Sequence, residues 1–338
     1  MSWRRHPIVT DNLPIVVLIL AHVFAVFGIH AFLGIDPEPA FKHHFDPFAR
    51  IAAAFSLAAL AVLILTGSYR RYLTSRHLGG FLIILVVAPL FTSSFNTFKQ
   101  TIPYLHPFSW DEPLMRLDHF LHFGNHPWKL LEWMLSHPWL IRGIDYAYML
   151  WFGFLVLFTI WMAWTTHRRL RLCFFLTTVL SWAILGSCLG TVFSSAGPCY
   201  YSKVTNAVDD PFAPLMRKLE DVNKRTPLYA IENQSGLWEA NGRREWIPYG
   251  GISAMPSIHV AMAAIFALAA FSVKKWLGIF FSAYLLLIQI GAVILGWHYA
   301  IDGYFSIIIA CLIWALVIWT LKKYPCEPAL TRGDPRYE

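Results

Sequence analysis

Apolar residues in this chain come in runs as long as a bilayer is thick, and this restricts the fold more than any other feature. A hydrocarbon core of ~30 Å takes about 20 residues of α-helix to cross. Inside it, only helices and closed barrels satisfy their own backbone polar groups. Eight windows reach or nearly reach that length: 14–34, 50–67, 78–96, 144–164, 170–193, 254–273, 276–296 and 301–321. They are continuous runs rather than amphipathic stripes, which excludes a large soluble helical protein. With 57% apolar and 14% charged residues, the chain also has too little polar surface for one. The expected fold is all-α: a polytopic membrane helix bundle of about eight transmembrane helices.

The placement of charge supports that count. Arg4 and Arg5 precede the first run, and Arg70, Arg71 and Arg76 follow the second. Arg168, Arg169 and Arg171 follow the fourth, Lys274 and Lys275 the sixth, Lys322 and Lys323 the eighth. In an eight-span chain all these clusters fall on one side. The positive-inside rule makes that side cytoplasmic and puts both termini there. The net charge of +7 therefore reports orientation, and no nucleic-acid partner is expected. The first run is too long for a signal-peptide core and reads as a retained helix. Five cysteines without metal-type spacing argue against a disulfide framework or a zinc site.

Four regions follow. Residues 1–96 hold three spans, and 97–143 form an extracytoplasmic segment. A membrane core covers 144–321, with an extracytoplasmic loop at 194–253, and 322–338 form a cytoplasmic tail. Within 97–143, Trp128 to Leu140 is short, apolar and Trp-rich, which predicts a helix lying in the interface. The 194–253 connection shows no strand pattern, and its length points to a functional or mobile loop.

Two segments carry chemistry. The first is YGGISAMPSIHV, Tyr249 to Val260. Pro256 suits the first turn of a helix, which would put Ser257, Ile258 and His259 where free N–H groups cradle a phosphate. Gly250 and Gly251 let the incoming backbone bend closely around a ligand. The second is GWHYAIDGY, Gly296 to Tyr304. His298 and Asp302 are four apart, so on a helix they share a face. The carboxylate can fix one imidazole nitrogen and leave the other free to attack. One pass in and one pass out separate His259 from His298, so both lie at the extracytoplasmic boundary, where ionisable groups are costly enough to signal function. Two His and one Asp also have zinc-ligand character, but no HExxH-like helix supplies such a site, and no metal or cofactor is expected.

These segments resemble the second and third signatures of the type 2 phosphatidic acid phosphatase superfamily: Pro-Ser-Gly-His, then His with Asp four residues on. Here they read Pro256-Ser257-Ile258-His259 and His298-Tyr299-Ala300-Ile301-Asp302. The stretches AMPSIHVA and WHYAIDGY, with Leu117-Asp118 and Phe123-Gly124-Asn125-His126-Pro127 upstream, are most similar to the inositol phosphorylceramide synthase (aureobasidin-resistance) branch. The resemblance covers about 115–321. It implies His298 as nucleophile, Asp302 as its orienting carboxylate and His259 as general acid and base. Ser257 and the Ile258 N–H would hold phosphate oxygens. The phosphatases' Ser-Arg pair is Gly291-Ala292 here, and their first signature has no clean copy. Lys203, after Pro198-Cys199-Tyr200-Tyr201, or Lys99, seven residues before His106-Pro107, are the candidates to supply its charge.

The implied function is a lipid phosphotransferase. Its partners would be a phospholipid or polyprenyl phosphate donor and a lipid or polyol alcohol acceptor, both in the membrane. A lipid or polyprenyl phosphate phosphatase of the same superfamily is the alternative. A non-catalytic transporter or structural protein is the reading from another class, without the paired repeats or broken helices that transporters show.

Overall fold

The computed structural model describes residues 7–67, 75–165, 167–207, 209–247 and 250–323. Arg4, Arg5, Arg70, Arg71, Tyr249 and Cys326 lie outside them. Among the described residues every regular element is a helix. The principal ones are α1 (Pro7–Phe32), α2 (Glu38–Leu65), α3 (Ser75–Leu105), α4 (Asp111–Leu121), α5 (Pro138–Trp164) and α6 (Arg168–Val192). They continue as α7 (Ala213–Arg225), α8 (Tyr229–Arg243), α9 (Ile258–Phe271), α10 (Lys275–Ile294) and α11 (Ala300–Lys323). Seven of them, α1, α2, α3, α5, α6, α10 and α11, are long and apolar enough to cross a membrane.

The sixth expected span is shorter than its window. α9 has 14 residues, roughly 21 Å at 1.5 Å per residue, which is less than the hydrocarbon thickness. Its approach, from Gly250 to Ser257, is not helical. Non-helical backbone at that depth is tolerable only inside protein, and α9 is the innermost helix of the bundle. From Val260 to Ala270 nearly every residue is buried. Six of its fourteen residues are Ala, so α5, α6, α10 and α11 can approach it closely.

Three local expectations need correction. Trp128 to Leu140 is not one interfacial helix. A turn at Pro127–Leu130 and a 3₁₀ turn at Glu132–Ser136 precede α5, which starts at Pro138 with that proline in its first turn. The 194–253 segment is not structureless either. It contains α7, whose Leu215, Leu219 and Val222 form a buried stripe, and α8. Finally, α3 runs on to Leu105, so Lys99 belongs to a membrane helix rather than to a loop. The Ser- and Thr-rich end of α3 ended the apolar window early. Most of its hydroxyls are paired: Ser93 donates to the Pro89 carbonyl at 2.6 Å and Thr101 to the Thr97 carbonyl at 3.0 Å. His22 and His30 of α1 lie 3.0 and 2.9 Å from the Ser94 and Thr101 hydroxyls.

α6 carries a π-helical stretch, Trp182–Leu189. Gly186 sits in it because the Phe95 ring of α3 occupies the space a Cβ would need. Phe95 in turn meets Trp182 edge-on, centroids 4.6 Å apart. Wide turns of this kind often border functional sites, and this one lines the cavity described below.

Candidate active site

The start of α11 is held from two sides. A helix begins with N–H groups that lack intrahelical partners. Here the side chain of Asp302, three residues into the helix, reaches back and accepts from the Tyr299 N–H at 3.0 Å, half of a capping box. The next two, on Ala300 and Ile301, donate to the carboxylate of Asp118 in α4, at 2.8 and 2.9 Å. His298 therefore stands just before the helix, not on its face as the spacing suggested. The two side chains still meet: Nδ1 of His298 lies 3.4 Å from Oδ2 of Asp302. The backbone N–H of His298 is tied to the Ala292 carbonyl at 3.0 Å. Burial and the nearby Lys99 ammonium lower the pKa of the His298 ring, and the Ala254 carbonyl opposes them. The balance favours a neutral imidazole, the form able to act as a nucleophile.

The start of α9 is built differently from expectation. Ser257 is the N-cap, outside the first turn, and its Oγ accepts from the Val260 N–H at 3.5 Å. Pro256 precedes the cap. Ile258 and His259 are the first two helical residues. The Ser257 N–H points to the Asp302 carbonyl at 3.4 Å, so the two motifs touch through their backbones. The His259 ring stacks on Tyr148 (centroids 4.9 Å apart) and lies against Trp151 (4.2 Å) and Phe152 (5.8 Å), all on α5. Trp151 also donates its indole N–H to the His259 carbonyl at 3.0 Å. These contacts fix the ring, as proton transfer at a set position requires.

Residues 194–197 join both motifs to α4. Ser195 receives the Met255 N–H on its hydroxyl (3.0 Å) and the Ala254 N–H on its carbonyl (2.9 Å). The N–H groups of Ala196 and Gly197 both donate to the Asp111 carboxylate at 2.8 Å, and the Tyr299 hydroxyl donates to it at 2.9 Å. Burial raises the pKa of Asp111 and of Asp118, and their N–H donors pull both back toward the ionised form. Asp111 and Tyr299 escaped the reading of the sequence. The only available hint was an acidic residue directly after the aromatic stretch Phe108-Ser109-Trp110.

Gly197 is required here. Its φ of +98° lies in a region that L side chains rarely adopt, and a Cβ would come within 2.6 Å of the Trp297 carbonyl oxygen. Gly197→Ala should cost about 2–3 kcal/mol and displace Trp297, the neighbour of His298. Thermal unfolding in detergent checks the first effect, and turnover checks the second.

His259 and His298 line one cavity of about 880 Å³, together with Lys99, Asn96, Pro256 and Ile258. Lys99 is the only Lys or Arg among its described lining residues. Gly251, with φ +91°, lies so close to α3 that a Cβ built there would come within 3.0 Å of the backbone of Lys99 and Gln100. Helix α8 borders the same end with Asn233, Gly236 and Leu237. Asp145 of α5 holds the start of α8 by accepting from the Tyr229 and Ala230 N–H groups at 2.7 and 3.0 Å. Two of the phosphate-binding candidates lie outside this lining. Ser257 is fully buried. Lys203 is exposed, its ammonium 4.8 Å from the centre of the Trp238 ring. Among the described residues no three His, Cys, Asp or Glu side chains are grouped to hold a metal.

No curated protein and no solved structure matches the chain. A family model does, over residues 112–316, well over half of the length. That span starts one residue after Asp111 and contains Asp118, His259, His298 and Asp302. By that match the chain belongs to the PAP2 superfamily, whose members are phosphatases or phosphotransferases.

Proposed function

We propose that this chain is an integral-membrane lipid phosphotransferase, similar to inositol phosphorylceramide synthase, that works through a histidine nucleophile. The observation that carries the proposal is one cavity whose described lining bears His259, His298 and one basic side chain, Lys99, with Asp145 and Glu232 as its acidic residues and otherwise largely apolar walls. With Asp302 beside Nδ1, Nε2 of His298 is the nitrogen free to attack phosphorus. A P–N bond forms, the P–O bond to the leaving alcohol breaks, and His259 gives its proton to that alcohol. An acceptor hydroxyl then attacks phosphorus, His259 takes its proton, and the P–N bond breaks. Lys99 and the N–H groups at the start of α9 would stabilise the charge on the other phosphate oxygens.

The charge balance favours transfer from a diester over hydrolysis of a monoester. A phosphate monoester carries about −1.5 to −2 at neutral pH, whereas a diester has one ionisable oxygen. Lys99, the one basic side chain among the described lining residues, matches the diester. A donor of phospholipid type, which hands its phospho-headgroup to an alcohol, fits best.

The basic residues Arg168, Arg169, Lys274, Lys275, Lys322 and Lys323 follow or precede the helix ends opposite the histidines in the chain's course. We assign that end to the cytoplasm and the histidines to the extracytoplasmic face, with both termini inside. Purified protein in sealed vesicles of known orientation tests both parts. Headgroup transfer from an added phospholipid to an added alcohol is expected only when the histidine end faces the donor. Release of inorganic phosphate from phosphatidic acid, without any acceptor, would make the enzyme a phosphatase instead.

A further inference from the structure

The cavity is longer than a phosphate site needs. On α3 its lining runs from Lys99 to Phe81, and on α5 from Asp145 to Ala163. Each stretch covers eighteen residue steps, about 27 Å at 1.5 Å per residue. The hydrocarbon core is ~30 Å thick, so the cavity reaches most of the way across it. A tail confined to one leaflet would need about half that depth. Beyond Asn96 and Thr92 the walls turn to Ala88, Leu85, Ile84 and Phe81 on α3. At the far end Phe81 packs edge-on against Trp164, centroids 4.8 Å apart.

We propose that this cleft between α2, α3 and α5 holds the hydrocarbon tail of the substrate lipid, and selects a tail longer than one leaflet is deep. The occupant follows from continuity: one cavity is lined both by His259, His298 and Lys99 and by the apolar residues of the shaft. The phosphate at the polar end fixes the tail's origin, and the shaft fixes its reach. This inference rests on the lipid-phosphate reading of the site and adds the chain length of the substrate. A very-long-chain acyl or alkyl lipid and a polyprenyl lipid share that property.

Gly153 offers the test. It lines the shaft, and a Cβ built there meets nothing within 4 Å. It lies five residues beyond Tyr148, roughly 8 Å further from the site, with another ten residues of lining, about 15 Å, beyond it. Gly153→Phe should therefore plug the shaft without crowding the protein, and the loss of a helical glycine favours folding.

Donors with one headgroup and octyl, ordinary, very-long-chain saturated or polyprenyl tails would be compared by kcat/KM. Wild type should gain with each lengthening past leaflet depth. The preferred long tail, saturated or polyprenyl, then identifies the source. Gly153→Phe should lower the long-to-short ratio roughly tenfold or more, the scale on which pockets discriminate apolar groups. Gly28→Phe, on an exposed position of α1 with open space around it, should leave that ratio as in wild type. A wild-type preference that ends at leaflet-length tails, or a Gly153→Phe loss equal for all tails, overturns the proposal.

A second readout does not need turnover. A very-long-chain alkyl phosphate with a diazirine on its terminal carbon would be photolysed with His298→Ala protein. Adducts are expected on the α3 and α5 segments near Ile84 and Ala163. Adducts only on outward-facing residues such as Val86, which is 60% exposed, would refute the cleft. Should wild type turn over no lipid phosphate, the functional reading fails while the photolabel still decides whether the shaft binds a tail.

Discussion

Replacing His298 with Ala should abolish phosphoryl transfer, lowering kcat/KM by roughly four orders of magnitude or more, as removal of a covalent nucleophile does. The argument is geometric. His298 lines the cavity, is 8% exposed, and faces Asp302 at 3.4 Å. Its ring bonds only the Ala254 carbonyl, so thermal stability should fall by about 1 kcal/mol, far less than the effect on turnover. His259→Ala should produce a loss of similar size for a different reason: the leaving alcohol then departs without a proton. A donor with an acidic leaving group separates the two roles. It needs no general acid, so it should restore formation of the phospho-enzyme in His259→Ala but not in His298→Ala. Trapping the acid-labile, phosphorus-labelled adduct on a rapid time scale reads this directly. Asp302→Asn should lose less than either, with a neutral partner beside Nδ1 and the Tyr299 cap weakened. Undiminished turnover in His298→Ala would remove His298 from the mechanism.

The parts of this site that were legible in the sequence are those encoded locally. Eight apolar runs mark the bundle, with α9 as the short one. PSIH and HYAID lie at the ends of consecutive runs, so the hairpin of α9 and α10 had to bring them to one face. What was not legible depends on residues far apart in the chain. The N–H groups that begin α11 are satisfied by Asp118, more than 180 residues upstream, and no local pattern announces such a partner. Lys99 was assigned to a loop because Thr92, Ser93, Ser94, Asn96 and Thr97 depress local hydropathy. All of them but Thr97 bond to the preceding turn or to α1 and so remain compatible with a membrane helix. α7 was different. Leu215, Leu219 and Val222 recur at helical spacing, a signal present in the sequence but masked by the prolines and charges around it.

Asp111→Ala should destabilise the end of the bundle that carries the site by about 3 kcal/mol or more. The mutation leaves three buried donors without their acceptor: the N–H groups of Ala196 and Gly197 and the hydroxyl of Tyr299. An orphaned buried donor costs ~1–3 kcal/mol, and a new cavity where the carboxylate stood adds to this. Asp118→Ala strands two donors at the start of α11 and removes a negative charge from the positive end of that helix. Its expected cost is about 2–4 kcal/mol. Neither carboxylate lines the cavity with the histidines, so any effect on chemistry must travel through position. Asp118 fixes the first turn of α11, whose third residue is Asp302. Asp111 holds Tyr299, the residue after His298. Both variants should therefore lower kcat more than they raise KM, since the reacting geometry is disturbed while the tail still binds. Asp118→Glu, which keeps the acceptor one methylene further out, should recover part of the stability and part of kcat together. Unfolding midpoints in detergent, measured beside kcat and KM on one donor, test this link. A variant that unfolds earlier with kcat intact would break it and leave these carboxylates as stabilisers of the fold alone.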